Sequence, residues 1–346
     1  MATPLNGTVV ITGASGSLGS KIALKIAQQH PFVHLLLTAR DISSKSVADL
    51  SDEIRSLGPR SFEIAKLDLA SFRSIRKFTK NSVERVRSGD IPSIQLLINC
   101  AAVASFNADA PTEDGFDLVY QTNCLGPFLL TIDLLEAFRS SGGDNGTRII
   151  NIGSALMSMG KTDYFDSNVS KKINSPLGLR EGLVRYGSSK LLLNAAMYAL
   201  RRSLAMVWNL LLDCECRTNT LQTSKINLTI FTLDPGRMSN SSRLLTNAPV
   251  KLRMTNGMLS GMRPFTQIFS KNIINNASGC ADTVAKAAFD PLRHDRIGEE
   301  KYFVLDDECY VRDIVKITND HSFMEMFLRQ TVIDVGMAEE EIITPV

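Results

Sequence analysis

The chain lacks most of what would mark it for a membrane, a nucleic acid or a structural metal. Its 346 residues contain no stretch of about 18 uninterrupted apolar residues, so no spanning helix is expected. Net charge is only +2, from 38 Lys+Arg against 36 Asp+Glu, which leaves no nucleic-acid footprint. The four histidines, His30, His34, His294 and His321, share no ligand spacing. The six cysteines, Cys100, Cys124, Cys214, Cys216, Cys280 and Cys309, form no paired C-x-x-C set, so no metal site is expected. Met1 to Gly7 has neither a basic start nor an apolar run, and no signal peptide is expected. Free thiols and a cytoplasmic location follow as expectations, and N-x-S/T triplets such as those at Asn168 and Asn227 then carry no glycosylation meaning.

What is present is a regular alternation. Thr8–Thr12, TVVIT, reads as a buried strand. It runs into Gly13-Ala14-Ser15-Gly16-Ser17-Leu18-Gly19, then a helix with Leu18, Ile22, Ala23, Ile26 and Ala27 on one face. Strand, glycine turn and helix suit a phosphate: backbone amides and a positive helix end meet the anion. A tight packing corner is the competing reading. A second strand, His34–Thr38, ends at Ala39-Arg40-Asp41. In such folds an acidic residue about 20 positions past the glycines binds the adenosine ribose. Here that place is Ala39, followed by Arg40, which would pair with a 2′-phosphate and favours NADP(H).

Further strands are expected at Ser61–Leu67, ending at Asp68-Leu69, and at Ile94–Ile98, ending at Asn99-Cys100-Ala101-Ala102. Others are Thr147–Ile152 before Gly153-Ser154, Ile226–Leu233 before Asp234-Pro235-Gly236, and Lys301–Leu305. Helices are expected at Ser46–Leu57, Ser71–Val86, Gly115–Arg139 (carrying Asn123) and Leu183–Ala205. The class is α/β: one domain over residues 1–346, a doubly wound parallel sheet with helices on both faces. Right-handed crossovers place the ligand crevice at the strand C-terminal ends, where Gly13, Arg40, Asp68, Asn99, Ser154 and Pro235 all fall.

Tyr186 and Lys190 stand four apart in the last of these helices and share a face. An ammonium near a phenol favours the phenolate and lowers its pKa, which suits proton exchange with a carbonyl or alcohol oxygen.

Taken together, the chain resembles a short-chain dehydrogenase/reductase over roughly residues 7–237. The motif T-G-x-x-x-G-x-G is Thr12, Gly13, Gly16 and Gly19; N-N-A-G appears as Asn99-Cys100-Ala101-Ala102; Y-x-x-x-K is Tyr186 and Lys190. The resemblance implies a Rossmann-type NAD(P) domain. It implies cofactor contacts from Thr12, Gly13, Ser15, Gly16, Ser17, Leu18, Gly19, Arg40, Asp68, Leu69, Asn99, Ala101, Tyr186, Lys190, Pro235 and Gly236, with Asp68 at the adenine. It also implies Tyr186 as general acid, Ser154 on the substrate oxygen, Lys190 on the nicotinamide ribose and Asn123 holding a water in a proton relay. The expected activity is NADP(H)-dependent reduction of a bulky apolar ketone or aldehyde, or oxidation of the alcohol, with a secondary-metabolite, retinoid or steroid-like substrate. The alternative is a non-redox member, an isomerase, cyclase or NADP-binding scaffold. A homodimer or homotetramer through the helices of Asn123 and Tyr186 is implied, unless the longer loops block it.

Two regions stand apart. Residues 237–277 occupy the expected place of a substrate lid; Met254, Met258 and Met262 recur every four residues, as a greasy pocket wall or as packing against the sheet or a partner. Residues 206–224 form an atypical insertion with the single tryptophan, Trp208. It reads as an extension of the preceding helix through Trp208 and Leu212, as a structural excursion, or as a translated intron. The codons of Val207, Thr218-Asn219 and Gln222 can spell splice-like signals.

Overall fold

The computed structural model describes residues 7–138, 147–165, 177–213, 228–236, 276–289, 302–304, 307–308 and 320–337. In chain order the elements are β1 (Thr8–Ile11), α1 (Ser17–Gln29), β2 (His34–Ala39), α2 (Lys45–Leu57), β3 (Ser61–Lys66), α3 (Phe72–Ser88) and β4 (Ile94–Asn99). Then come α4 (Leu118–Tyr120), a π-helical turn (Gln121–Leu125), α5 (Gly126–Asp133), β5 (Thr147–Ile152), α6 (Leu179–Asp213) and β6 (Leu228–Asp234). The last are α7 (Ala277–Phe289), β7 (Tyr302–Val304), β8 (Asp307–Glu308) and α8 (His321–Asp334).

One sheet in the order β3-β2-β1-β4-β5-β6-β7-β8 runs through the molecule. Every pairing is parallel except β7 with β8. The alternation of apolar side chains on β1 explains why both faces are covered. Val9 and Ile11 join Ile22 and Ile26 of α1 on one side, while Val10 joins Ile75 of α3 and Phe128 of α5 on the other. Fully burying one such Ile or Val is worth about 1.5–3 kcal/mol. The chain winds from β1 outward to β3, then returns to lay β4 on the other flank of β1. That reversal opens a crevice between the C-terminal ends of β1 and β4.

A charged residue completes the second half. Arg148 on β5 is buried, and its Nη1 donates to the carbonyls of Ala287 at 3.1 Å and Ala288 at 2.8 Å. It thereby caps the C-terminal end of α7, where a cation complements the helix dipole.

The doubly wound parallel sheet is as expected, and three details differ. The single helix expected over Gly115–Arg139 is broken into α4, the π turn, α5 and a 3₁₀ turn at Glu136–Phe138. Asp117 sets its start, accepting from the amides of Val119 and Tyr120. The tyrosine helix is longer than Leu183–Ala205, running from Leu179 to Asp213. Helices α7 and α8 and strand β8 add to the elements expected. The first eight residues of the 206–224 segment continue α6, and the rest of it lies outside the described residues. The 237–277 lid also lies outside them, apart from its end, where Ala277 begins α7. Among the described residues no helix is long and apolar enough to cross a membrane.

Candidate active site

The crevice floor is built by Thr12. Its hydroxyl oxygen accepts from the amides of Cys100 and Ala101, both at 3.0 Å, and so ties the exit of β1 to the exit of β4. Gly13 turns there with φ +67°, and a Cβ on it would lie 2.8 Å from the Ala101 Cα. Only glycine permits both the left-handed turn and that approach. No side chain caps α1, and its first turn holds no acidic residue. The leading amides of α1 are thus suited to an external anion, and the turn fits the pyrophosphate of a dinucleotide.

Other expected cofactor residues share this edge. Arg40 is exposed at the end of β2. Its neighbour Asp41 accepts from the amide and hydroxyl of Ser43, a local turn that occupies the carboxylate and leaves the position to Arg40. Asp68 and Leu69 follow β3; the Asp68 Oδ1 accepts from the Ala70 amide at 3.0 Å. Pro235 and Gly236 follow β6, with the Gly236 amide donating to the Asp234 carboxylate at 2.9 Å. Asn99 is only 1% exposed and donates to Asn151 Oδ1 at 2.9 Å. It braces β4 against β5 and supports the floor from within the sheet.

Tyr186 and Lys190 lie on the inner face of α6, 8% and 3% exposed. The Lys190 ammonium donates to the Ile152 carbonyl at 2.9 Å and sits 6.0 Å from the centre of the Tyr186 ring. Burial drags the Lys190 pKa down to about 8. The expected lowering of the Tyr186 pKa is overturned: burial, then the nearby Asp234 and Cys100, push the phenol well above its ordinary value. The lysine's hydrogen bond goes to the strand, and burial disfavours the phenolate. Tyr186 is therefore a protonated phenol, the form that can donate. Burial also pushes the Cys100 thiol up to about 12, so it is a neutral neighbour.

Ser154 follows β5 by two residues and caps a 3₁₀ turn at Ala155–Met159, its Oγ accepting from the Leu156 amide at 3.3 Å. That turn packs directly on α6: a Cβ at Gly187 would fall 2.1 Å from the Leu156 carbonyl oxygen. Backbone contact thus sets the height of Ser154 against Tyr186.

Asn123 is fully buried in the π turn. Its Oδ1 accepts from the Val103 amide, and its Nδ2 donates to the Val103 carbonyl, both at 2.8 Å, and to Ser189 Oγ at 3.0 Å. Both amide hydrogens are taken, so the side chain is a clasp.

Sequence reasoning missed several residues. Ser189 links Asn123 to the Tyr186 carbonyl, which accepts its hydroxyl at 2.7 Å. Ser188 accepts from the Lys161 amide at 2.8 Å. Arg185, next to Tyr186, is buried on two aspartates. The serines carried a signal, since positions between Tyr186 and Lys190 on an inward helix face must be small or polar and satisfied.

Residues 7–165 match the family described as short chain dehydrogenase. Retinol dehydrogenase 13 of Mus musculus is 35% identical over 171 residues, 49% of this chain and 48% of that protein. Chloroplastic protochlorophyllide reductase of Pisum sativum is 36% identical over 190 residues, 54% of this chain and 44% of that protein. The match thus spans about half the length of these relatives. Among solved structures, the angucycline C-6 ketoreductase LanV with bound NADP superposes with a TM-score of 0.57 at 20% identity, covering 88% of this chain and 95% of that one, a likeness of fold. The glycine turn on the reversal of the sheet lies inside residues 7–165, the stretch, somewhat under half of the chain, that matches the short chain dehydrogenase family.

Proposed function

We propose that the chain is an NADP(H)-dependent oxidoreductase that reduces a bulky apolar ketone or aldehyde, or oxidises the corresponding alcohol. The observation that carries this reading is the buried, protonated Tyr186 on the same sheet edge as an uncapped glycine turn. The turn Gly13–Gly19 would hold the pyrophosphate, Arg40 the 2′-phosphate and Lys190 the ribose. When bound, the dinucleotide supplies the hydride. Tyr186 gives its hydroxyl proton to the carbonyl oxygen, and the Ser154 hydroxyl donates a hydrogen bond to the same oxygen. In the oxidising direction both roles reverse. General acid catalysis of this kind contributes about 10²–10⁴-fold. The apolar 237–277 stretch of the sequence is proposed as the substrate-binding lid, and relatives named as a retinol dehydrogenase and a protochlorophyllide reductase support a first panel of bulky apolar ketones and aldehydes.

The test is titration with NADPH and with NADH, followed by nicotinamide fluorescence, in wild type and Arg40→Ala. Tighter NADPH binding that weakens in the variant is expected. Equal affinity for both cofactors would overturn the NADP(H) assignment, and failure to bind either would overturn the oxidoreductase.

A further inference from the structure

Among the described residues Arg185 is the largest side chain that is fully buried. Nothing in a reductase mechanism calls for a guanidinium there. Its Nε and Nη2 both donate to Asp117 Oδ2, at 3.0 and 2.7 Å, and Nε also reaches Oδ1 at 3.3 Å. Its Nη1 donates to Asp109 Oδ2 and to the Asn107 carbonyl, both at 3.1 Å. The partners lie on two other segments. Asn107 and Asp109 belong to the loop leaving β4, and Asp117 is the N-cap of α4. A buried ion pair is seldom the most stable way to fill a core, because apolar residues of similar volume do as well or better. What such a pair does supply is a fixed relation between the parts it joins.

Those parts are the ones that frame the reaction. Arg185 is bonded in sequence to Tyr186. Asp117 fixes the start of the segment that carries Asn123, and Asn123 clasps Val103 in the same β4 exit loop while reaching Ser189 on α6. The loop is closed: α6 to Asp117, Asp117 through α4 to Asn123, and Asn123 back to α6. Phe106 in that loop also accepts at its carbonyl from Leu177, just ahead of α6.

We infer that Arg185 is a positioning residue, whose three-way clamp on Asp117, Asp109 and the Asn107 carbonyl sets the Tyr186 phenol against the wall of the cleft formed by the β4 exit loop. The inference rests on the reductase reading above and adds a residue to it. The clamp acts on placement of the phenol and not on the glycine turn, so cofactor affinity is spared and turnover is not.

The test compares wild type, Arg185→Met/Asp117→Asn and Arg185→Lys. The double variant removes the buried pair together, and asparagine keeps the cap on α4. With melting temperature and NADPH affinity retained, kcat for a reduced ketone is expected to fall about 10²-fold, the scale of a reacting group misplaced by about 1 Å. Arg185→Lys is expected to lose less, since an ammonium reaches one carboxylate but not all three acceptors together. A double variant that folds, binds NADPH and keeps kcat within about twofold of wild type, against the 10²-fold loss expected of misplacement, overturns the inference. If the double variant does not fold, Arg185→Lys carries the test, and an unchanged kcat in it overturns the inference equally. A wild type that binds NADPH but reduces no carbonyl sinks the reductase reading instead. Tyr186 ionisation, read as phenolate absorbance against a Tyr186→Phe background, then decides the matter: onset at lower pH in the double variant supports the clamp, and superimposable curves overturn it.

Discussion

Lys190 holds its ammonium 2.9 Å from the Ile152 carbonyl and 6.0 Å from the centre of the Tyr186 ring. The lysine is therefore anchored to the strand that delivers Ser154, and burial has lowered its pKa from 10.5 to about 8. Between those two values the unfolded chain binds the extra proton. Lys190 thus costs the native state stability as pH falls from 10.5 to 8, and the cost is complete below 8. Lys190→Met is expected to gain on wild type by about 3 kcal/mol between pH 10.5 and pH 7. Urea unfolding of both proteins at the two pH values measures it, and a gap that does not widen toward pH 7 refutes it.

Tyr186→Phe removes the proton donor and leaves the ring. Ketone reduction is expected to fall about 10²–10⁴-fold while NADPH still binds. Single-turnover kinetics with saturating NADPH distinguishes this from a binding defect.

Gly187 leaves no room for a side chain, since a Cβ there would stand 2.1 Å from the Leu156 carbonyl oxygen. Gly187→Ala must push the Ser154 turn off α6. A stability loss of about 1–3 kcal/mol is expected from overpacking, with a larger proportional loss in kcat than in NADPH affinity. Wild-type kcat in a folded Gly187→Ala protein contradicts it.

Thr12→Val keeps the shape and deletes the acceptor for two amides. The Cys100 amide keeps the Ile98 carbonyl at 3.0 Å, so the Ala101 amide is the one that loses its acceptor, at a cost of about 1–3 kcal/mol. Thermal unfolding should show the loss, NADPH titration should weaken with it, and Thr12→Ser should restore both. A Thr12→Val protein as stable as Thr12→Ser counts against the role given to the hydroxyl.

Asp334 near the C-terminal end of α8 has its pKa raised by burial, although Gln330 donates to it at 2.8 Å. A raised carboxyl makes the folded state bind the proton more readily, so stability falls as pH rises through its titration. Asp334→Asn is expected to raise the melting temperature at pH 7 and to change it little at pH 3. A variant less stable than wild type at pH 7 would reverse the sign.

The parts of the molecule that could be read in the sequence were those with local causes. TVVIT and the glycines after it declare a strand and a turn within a dozen residues, and the Tyr186–Lys190 spacing places both on one helix face. The parts that could not be read have distant causes. Arg185 looks like a solvated charge on α6 until Asp117 and Asp109, 68 and 76 positions upstream, are folded against it. The π turn at Gln121–Leu125 has no sequence period of its own; it exists because Asn123 must reach Val103 and Ser189 at once. The phenol's raised pKa depended on how deeply α6 sinks into the sheet, which spacing does not encode. The alanine-rich α7 had a weak pattern because it is apolar on most sides, buried against α1 and capped by Arg148.

Strand β5 leans on neighbours that come later in the chain, and this matters whenever the protein is cut. The family match ends at residue 165, and β6 begins only at Leu228. A fragment ending at 165 would expose β5 as a raw edge, its amides and carbonyls stripped of the register from Thr147↔Leu228 to Ile152↔Leu233. Arg148 would also lose the two carbonyls of α7. An unpaired edge strand of that kind is a template for pairing with copies of itself. The half of the molecule that is easiest to recognise is thus an aggregation hazard alone, and the half with least resemblance is its protective cover.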